Sequence, residues 1–508
     1  MKREYLPTEA LVAWARLNGV KFRDVAIQQL RDETGVDKGA AVVATAKKAA
    51  KEPSDVEGQT VRPDILMTVP PELVLSLDQV GACAKADRQL TEVLDAMGDF
   101  AKTARGAILI FLLVHITYSD PDLHGDASSE HLRVCNPWTE YIKFLPKSFL
   151  LPTFYTIEER ELLHGTSLEV ALDAKLNSLE KEFEWLREAT TSIPWCVREW
   201  WNEETGRLSV EDWKLVDAMY RSRVLELPGT GHAMVPCVDM ANHASGNDTG
   251  ALYETGETGN AALQLRWGQS LNPGDEVTIT YGDEKGAAEM IFSYGFLEGG
   301  LTNARQLFLS LDIPDDDPLR LAKKAFCNDA PGFRLFTPSE SPPSSSSAES
   351  IQTDWESAFV WWACVNEEDG LEFRILQSTD GNSELKVSFK SQDLDSSDQL
   401  ERLLKDDPMW HVFQLRAVVT VQDRVANQIA QLRGSDEYVE QWRELVDETA
   451  IRRVVWDMAT RLRKLEEDLL EQGARDLEEK KLQLLDSKVV QAYLGTQNPG
   501  AEIEEDFS

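Results

Sequence analysis

The sequence predicts an α+β protein built from more than one domain, and three observations carry that expectation. Short apolar stretches with strand character stand near both ends of the first 300 residues. The stretch between them, about 85–220, has helical periodicity. A Pro/Ser tract at 341–350 separates all of this from a region that ends in a helical repeat. A chain of 508 residues also exceeds the ~250–300 that a single core encloses. With 42% hydrophobic residues and 14 tryptophans it can bury a sizeable core, which excludes a wholly disordered chain.

Taken in order, Leu11, Trp14 and Leu17 define one face of a first helix that Asn18-Gly19 stops. Small residues around Val42-Val43 predict a tight turn and a short strand within 35–50. ILMTVPPELVL (65–75) reads as a strand broken by Pro70-Pro71. Within the helical stretch, LEVALDAKLNSLEKEFEWL carries apolar positions at 3–4 spacing. Leu263, Leu265 and Trp267 alternate with polar residues, and Asn272-Pro-Gly-Asp275 turns into Val277-Thr-Ile-Thr280, so a strand pair is expected there. Beyond the 341–350 linker, LEFRI (371–375) and ELKVSF (384–389) flank a turn and predict a second hairpin. Ile451, Val455, Met458, Leu462, Leu465 and Leu469 make a helical seam that Gly473 is expected to interrupt. The acidic end is expected to stay unpacked. The expected domains are therefore 1–300 with a helical insertion at about 85–220, 301–490 with the linker inside it, and a tail at 491–508.

Charge narrows the function. With 52 Lys+Arg against 88 Asp+Glu the net charge is −36, which argues against a general nucleic-acid binder and against adhesion to anionic lipid. A basic partner, or plain solubility, fits it better. The longest apolar stretch, Ala107–Ile116, is ten residues, where a membrane span needs roughly twenty. MKREYLPTEALVAWARLNG lacks the apolar core of a secretory signal, and the six scattered cysteines include no CxxC. A reducing intracellular compartment, cytoplasm or nucleus, is expected.

Three clusters can carry chemistry: Arg221-Ser222-Arg223 at a helix end, VPCVDMANH (235–243) where an apolar stretch ends in Asn242-His243, and ITYGD (279–283) followed by Tyr294-Gly-Phe296. Each also has a structural reading, as a surface ion pair, a turn cap or a half-buried strand aromatic. His232, Asp239 and His243 supply the donors of a two-histidine, one-carboxylate iron site, at a spacing foreign to that motif.

Together, RSR, VPxxDMxNH, GDEVTITYG and YGF resemble the catalytic half of the SET-domain methyltransferases, in the branch of the plant Rubisco large-subunit methyltransferase and its fungal and animal relatives. GAAVVA (39–44), VPPELVLS (69–76) and PWTEYIKFLPKSF with PTFYTIEERELLHGTS (137–167) extend the resemblance over about residues 5–300. It implies a SET β-fold with a pseudoknot, interrupted by a helical insertion and followed by a mostly helical, substrate-binding-like C-terminal lobe. It further implies S-adenosyl-L-methionine as cofactor, no metal, and transfer of a methyl group to a lysine of a non-histone protein. Lys38, Gly39, Ala40, Arg223, Asn242, His243 and Tyr281 would bind the cofactor. Arg223, Asp239, Tyr253, Tyr281 and Tyr294 would face the substrate, with Tyr281 catalytic. The partner would be a basic protein, ribosomal or otherwise non-histone, met by a monomer without nucleic acid or membrane. A histidine acceptor and a catalytically weak binding scaffold are the alternatives. Three positions depart from the family pattern: Ala41 replaces the second glycine, Lys38 an acidic residue and Leu225 an aromatic one.

Overall fold

The computed structural model describes residues 1–31, 37–50, 64–121, 136–204, 206–256, 258–338, 352–377, 383–446 and 450–497. The expected linker at 341–350 and the end of the tail, 498–508, lie outside these residues; 488–497 form a helix. The described chain forms two compact units. The first comprises Met1–Phe154, Leu172–Asp283 and Ser293–Gly295, and the second Tyr155–Ala171, Glu284–Phe292 and Phe296–Ser508.

The first unit is held by a helix, Ala104–Ser119, whose residues from Gly106 onward are all buried. A helix apolar on every side has no solvent face to choose, so it becomes the centre around which other elements pack. Each Leu, Ile or Phe it buries contributes roughly 1.5–3 kcal/mol. Thr103 caps its first turn through a 2.9 Å bond from the Gly106 amide. Arg105, at its start, reaches Glu182 at 2.9 Å and the buried Asp217 at 2.8 Å.

Around this helix lie short antiparallel strands. One sheet runs Lys21–Phe22, Ile65–Val69, Ala261–Leu265, Ala251–Thr255 in spatial order. Val25–Arg31 pairs with Asp37–Ala44, and Val224–Leu227 with Gly231–Met234. The expected pairing of 263–267 with 277–280 is not formed: Ala261–Leu265 pairs instead with Ile65–Val69 and Ala251–Thr255. Residues 275–279 bond outward on several sides. Val277 N donates to Val42 O at 2.8 Å, Ile279 N to Asn242 O at 2.9 Å, and Ala251 N to Thr278 O at 2.8 Å. One buried segment thus ties together stretches separated by some two hundred residues, because Val277 and Ile279, both fully enclosed, gain more from the interior than from an edge hairpin. The first helix, Thr8–Leu17, buries Leu11 and Trp14 but leaves Leu17 86% exposed, so its apolar face is one residue shorter than the periodicity suggests.

In the second unit two long helices, Trp410–Leu445 and Arg453–Leu485, pack along each other. Val421, Val425 and Leu432 are buried on one, and Val455, Leu462, Leu465 and Leu469 on the other. Gly473 does not interrupt the second helix: a Cβ there would lie 2.9 Å from the side chain of Leu335, so the glycine lets that leucine pack onto the helix backbone. Two three-stranded antiparallel sheets complete the unit, one of them containing the expected hairpin of Leu371–Gln377 with Ser383–Phe389.

Candidate active site

Three short segments of the first unit converge on Tyr281. His243 forms a parallel bridge with Ile279, so the segment ending in Asn242-His243 runs beside the one ending in Thr280-Tyr281. The Tyr281 amide donates to His243 Nδ1 at 3.0 Å, which places the ring proton of a neutral His243 on Nε2. The Tyr281 hydroxyl donates to the Ala241 carbonyl at 2.9 Å. Its ring lies 5.2 Å from that of His243 and 4.5 Å from that of Tyr294. Tyr294 is placed by the Tyr-Gly step: Gly295 has φ +77°, and a Cβ there would stand 2.5 Å from the Leu150 carbonyl oxygen. No other residue fits that turn without moving backbone. Burial raises the Tyr281 phenol to about 12, with Arg223 opposing and Asp239 and Glu276 reinforcing, so it keeps its proton at neutral pH.

Behind this aromatic row sits a buried polar cluster. Arg223 Nη1 donates to the Asp239 carbonyl at 2.9 Å and to its carboxylate Oδ2 at 3.3 Å. The other carboxylate oxygen, Oδ1, accepts from the Tyr141 hydroxyl at 2.5 Å. Tyr141 in turn accepts from the Cys237 amide at 3.0 Å. Burial pushes Asp239 up, against the pull of Arg223, and pushes Tyr141 well above its ordinary range, with the Asp239 charge adding. Cys237 holds a left-handed backbone at φ 71°, an uncommon state for a residue with a Cβ. The loop carrying Asp239 is therefore held by its bonds rather than by local preference.

The two arginines of the RSR motif part company. Arg221 turns to the buried Asp217, at 3.4 Å, which also takes Arg105 and Lys175. Arg223 alone joins the site. Asn242 donates through Nδ2 to Glu276 Oε1 at 2.5 Å and accepts Ile279 N at its carbonyl. Gly39 has φ +89°, with open space where a Cβ would lie, and Ala40 follows it in the strand opposite Gln29. Ala41 is fully buried in regular register opposite Gln28. Lys38 belongs to the same strand; its side chain lies outside the described residues. Leu225 is buried on the strand opposite Ala233. Tyr253 has other surroundings: half-buried opposite Leu263, it is raised by burial and then by Glu226.

The donors of the iron alternative do not converge, since His232 bonds to Tyr220 at 3.0 Å while Asp239 and His243 are engaged as above. Among the described residues no group of three or more His, Cys, Asp or Glu is arranged to hold a metal ion. Sequence reasoning missed Tyr141, Glu276 and Arg3. Tyr141 stands within PWTEYIKF and Glu276 within GDEVTITYG, so both were in view without a role. Arg3, half-buried, donates to the Leu145 carbonyl at 3.1 Å and lies close enough to Arg223 for the charges to repel; it left no signal.

No protein-family model matches the chain. The SET domain-containing protein 8 of Schizosaccharomyces pombe is 29% identical over 287 residues, 55% of this chain and 60% of that protein. The chloroplastic fructose-bisphosphate aldolase-lysine N-methyltransferase of Arabidopsis thaliana is 26% identical over 36% of this chain and 37% of its own length. The Rubisco large-subunit N-methyltransferase of Pisum sativum is 24% identical over 54% and 53%. The aligned regions thus span between about a third and three fifths of these relatives. Among solved structures, the SET domain of a large-subunit methyltransferase bound to methyllysine and S-adenosylhomocysteine aligns over 99% of this chain and 98% of its own, with TM-score 0.58 and 18% identity. A Rubisco large-subunit methyltransferase bound to S-adenosylmethionine gives the same TM-score. The segment that bonds at once to 42, 242 and 251, the helical stretch before it and the helical region after it are accordingly those of the SET-domain fold, in the form found in the Rubisco large-subunit methyltransferases.

Proposed function

We propose that the chain is an S-adenosylmethionine-dependent protein-lysine N-methyltransferase acting on a basic, non-histone protein. The observation that carries this reading is the setting of Tyr281: a phenol kept neutral, its hydroxyl donating to Ala241 O, flanked by the rings of His243 and Tyr294. Because the hydroxyl hydrogen is committed, its oxygen lone pairs remain to accept from an amine or from a polarised methyl, through weak contacts of ~0.5–1 kcal/mol each. A phenol at about 12 is a poor proton acceptor at pH 7–8, so Tyr281 positions the reactants rather than deprotonating them. The acceptor lysine would lose its proton through burial, which disfavours the ammonium.

The residues present fit the cofactor. Gly39 offers open backbone, and the Asn242 amide and the Nε2–H of His243 supply polar groups. When bound, the cofactor supplies a methyl group on a positive sulfonium. Arg223 and Tyr141 engage both oxygens of Asp239, so the carboxylate acts as a fixed acceptor at the site. Lysine rather than histidine is favoured because the plant relatives are named as N-methyltransferases of aldolase lysine and of Rubisco, and the solved structure carries methyllysine. The test is incubation of the full chain with labelled S-adenosylmethionine and a total-protein extract, followed by mass spectrometry. Label on lysine of a basic protein is expected; label on histidine would move the acceptor, and no label with intact cofactor binding would restore the scaffold.

A further inference from the structure

The second unit contains a cavity of about 590 Å³, within the ~300–1,000 Å³ range of ligand pockets. Its wall carries three tryptophans in a row: Trp355 and Trp361 have ring centroids 5.7 Å apart, and Trp361 and Trp410 5.1 Å. Trp361 is buried, whereas Trp355 and Trp410 are half-buried and present ring surface to the concavity. Trp355 comes from the strand Asp354–Glu356, Trp361 from the helix Ala358–Cys364, and Trp410 opens the helix Trp410–Leu445, so the row rests on regular elements.

The charges around it are mostly negative. Five carboxylates, Asp354, Glu356, Glu401, Asp476 and Glu479, face the cavity together with Lys405 and Lys480. Glu401 is paired with Lys405 at 2.7 Å, and Glu356 with Arg334 at 2.7 Å. Asp476 accepts from the Thr353 amide and hydroxyl, each at 2.7 Å, which fixes its position without cancelling its charge. Among the described residues this leaves Asp354, Asp476 and Glu479 against the single ammonium of Lys480.

We propose that this cavity binds a cationic side chain, Arg or Lys, presented by a segment of a protein partner, with the tryptophan row receiving the cation and Asp354, Asp476 and Glu479 drawing it in. The tryptophan face attracts a cation placed over it, and excess carboxylate around a partly enclosed wall strengthens that attraction. The chain that adjoins the cavity in sequence, 339–351, has no Lys or Arg and so offers no cation of its own. This site stands on its own residues and does not depend on the methyl-transfer reading.

Calorimetric titration of the full chain at low ionic strength with the peptide (Arg-Gly-Gly)₃, and with its citrulline counterpart as the uncharged control, tests it. Binding of the arginine peptide and not of the citrulline one is expected. Trp410→Leu should weaken it at least tenfold, and Glu479→Gln, at an exposed position that leaves packing untouched, two- to fivefold. Asp95→Asn, which removes one exposed charge from the first unit, should leave it unchanged. The proposal is overturned if neither peptide or both bind alike. It is also overturned if Asp95→Asn weakens binding as much as Glu479→Gln, since that would mean attraction to net charge alone. A Trp410→Leu variant that unfolds shifts the decision to Glu479→Gln.

Discussion

Each unit buries a carboxylate whose proton is held more tightly than usual, and the two do different things. In the second unit Glu466 is fully buried and raised to about 7, chiefly by burial, yet its oxygens accept from the Ser167 amide and hydroxyl at 3.0 and 2.5 Å. Its partners are the first residue of a helix, so it is a cap. In the first unit Asp239 is also raised by burial, but its partners Arg223 and Tyr141 sit behind Tyr281, which shares its neighbourhood with His243 and Tyr294. A perturbed carboxyl by itself therefore does not mark a site. What sets the first unit apart is the convergence of chemically different groups on one aromatic row.

The sharpest break of this contrast is Tyr281→Phe. Removing one hydroxyl while keeping the ring should lower methyl transfer by ~10–1000-fold, since a small misplacement can cost two orders of magnitude in an in-line reaction. The melting temperature should stay near wild type. Lost stability with turnover per folded molecule intact would make Tyr281 structural, like Glu466.

Glu466→Gln should do the opposite, moving stability and not chemistry. The folded carboxyl titrates at about 7 against an ordinary 4.5, so the folded state holds the proton more tightly than the unfolded one. Its contribution is complete below about 4.5 and is lost as pH rises through about 7, a change on the order of 3 kcal/mol. Denaturant unfolding at pH 5 and pH 8 should show the wild type losing that amount relative to the variant, whose amide cannot titrate. Parallel pH profiles would show that Glu466 ionises as freely folded as unfolded.

Asn242→Ala separates the two sides of the first-unit site. It leaves Glu276 without its 2.5 Å partner and should weaken S-adenosylmethionine binding by ~1–3 kcal/mol, read by calorimetry. An unchanged dissociation constant in a folded variant would make the Asn242–Glu276 bond a strand tie only.

The smallest effect is expected at Gly473→Ala. Helix propensity gains about 1 kcal/mol, and the displaced Leu335 side chain takes back a comparable amount, so stability should move by less than about 1 kcal/mol. A larger loss, measured by chemical denaturation, would mean that Leu335 cannot yield.

Local sequence was enough for several features because their physics is local. The break of the strand at Pro70-Pro71, the hairpin of 371–377 with 383–389 and the seam of Val455, Met458, Leu462, Leu465 and Leu469 depend on residues a few positions apart; Ile451, expected in the same seam, lies before the helix, which begins at Arg453. The short motifs around Arg223, Asn242, Tyr281 and Tyr294 were legible as a resemblance for the same reason, since each is a contiguous string. Which arginine of RSR serves the site, the role of Tyr141, and the pairing of 275–279 with 42–44 and 242–244 were not legible. These rest on contacts that periodicity does not give, from Arg223 with Asp239, 16 positions apart, to Val277 with Val42, more than two hundred apart. Arg221 and Arg223 look alike in sequence, and only the packing of the buried Asp217 against one and Asp239 against the other assigns them. Leu17 and Gly473 make the same point from the other side: periodicity says which residues share a helix face, while what lies against that face decides whether a leucine is covered and whether a glycine sits under a neighbour.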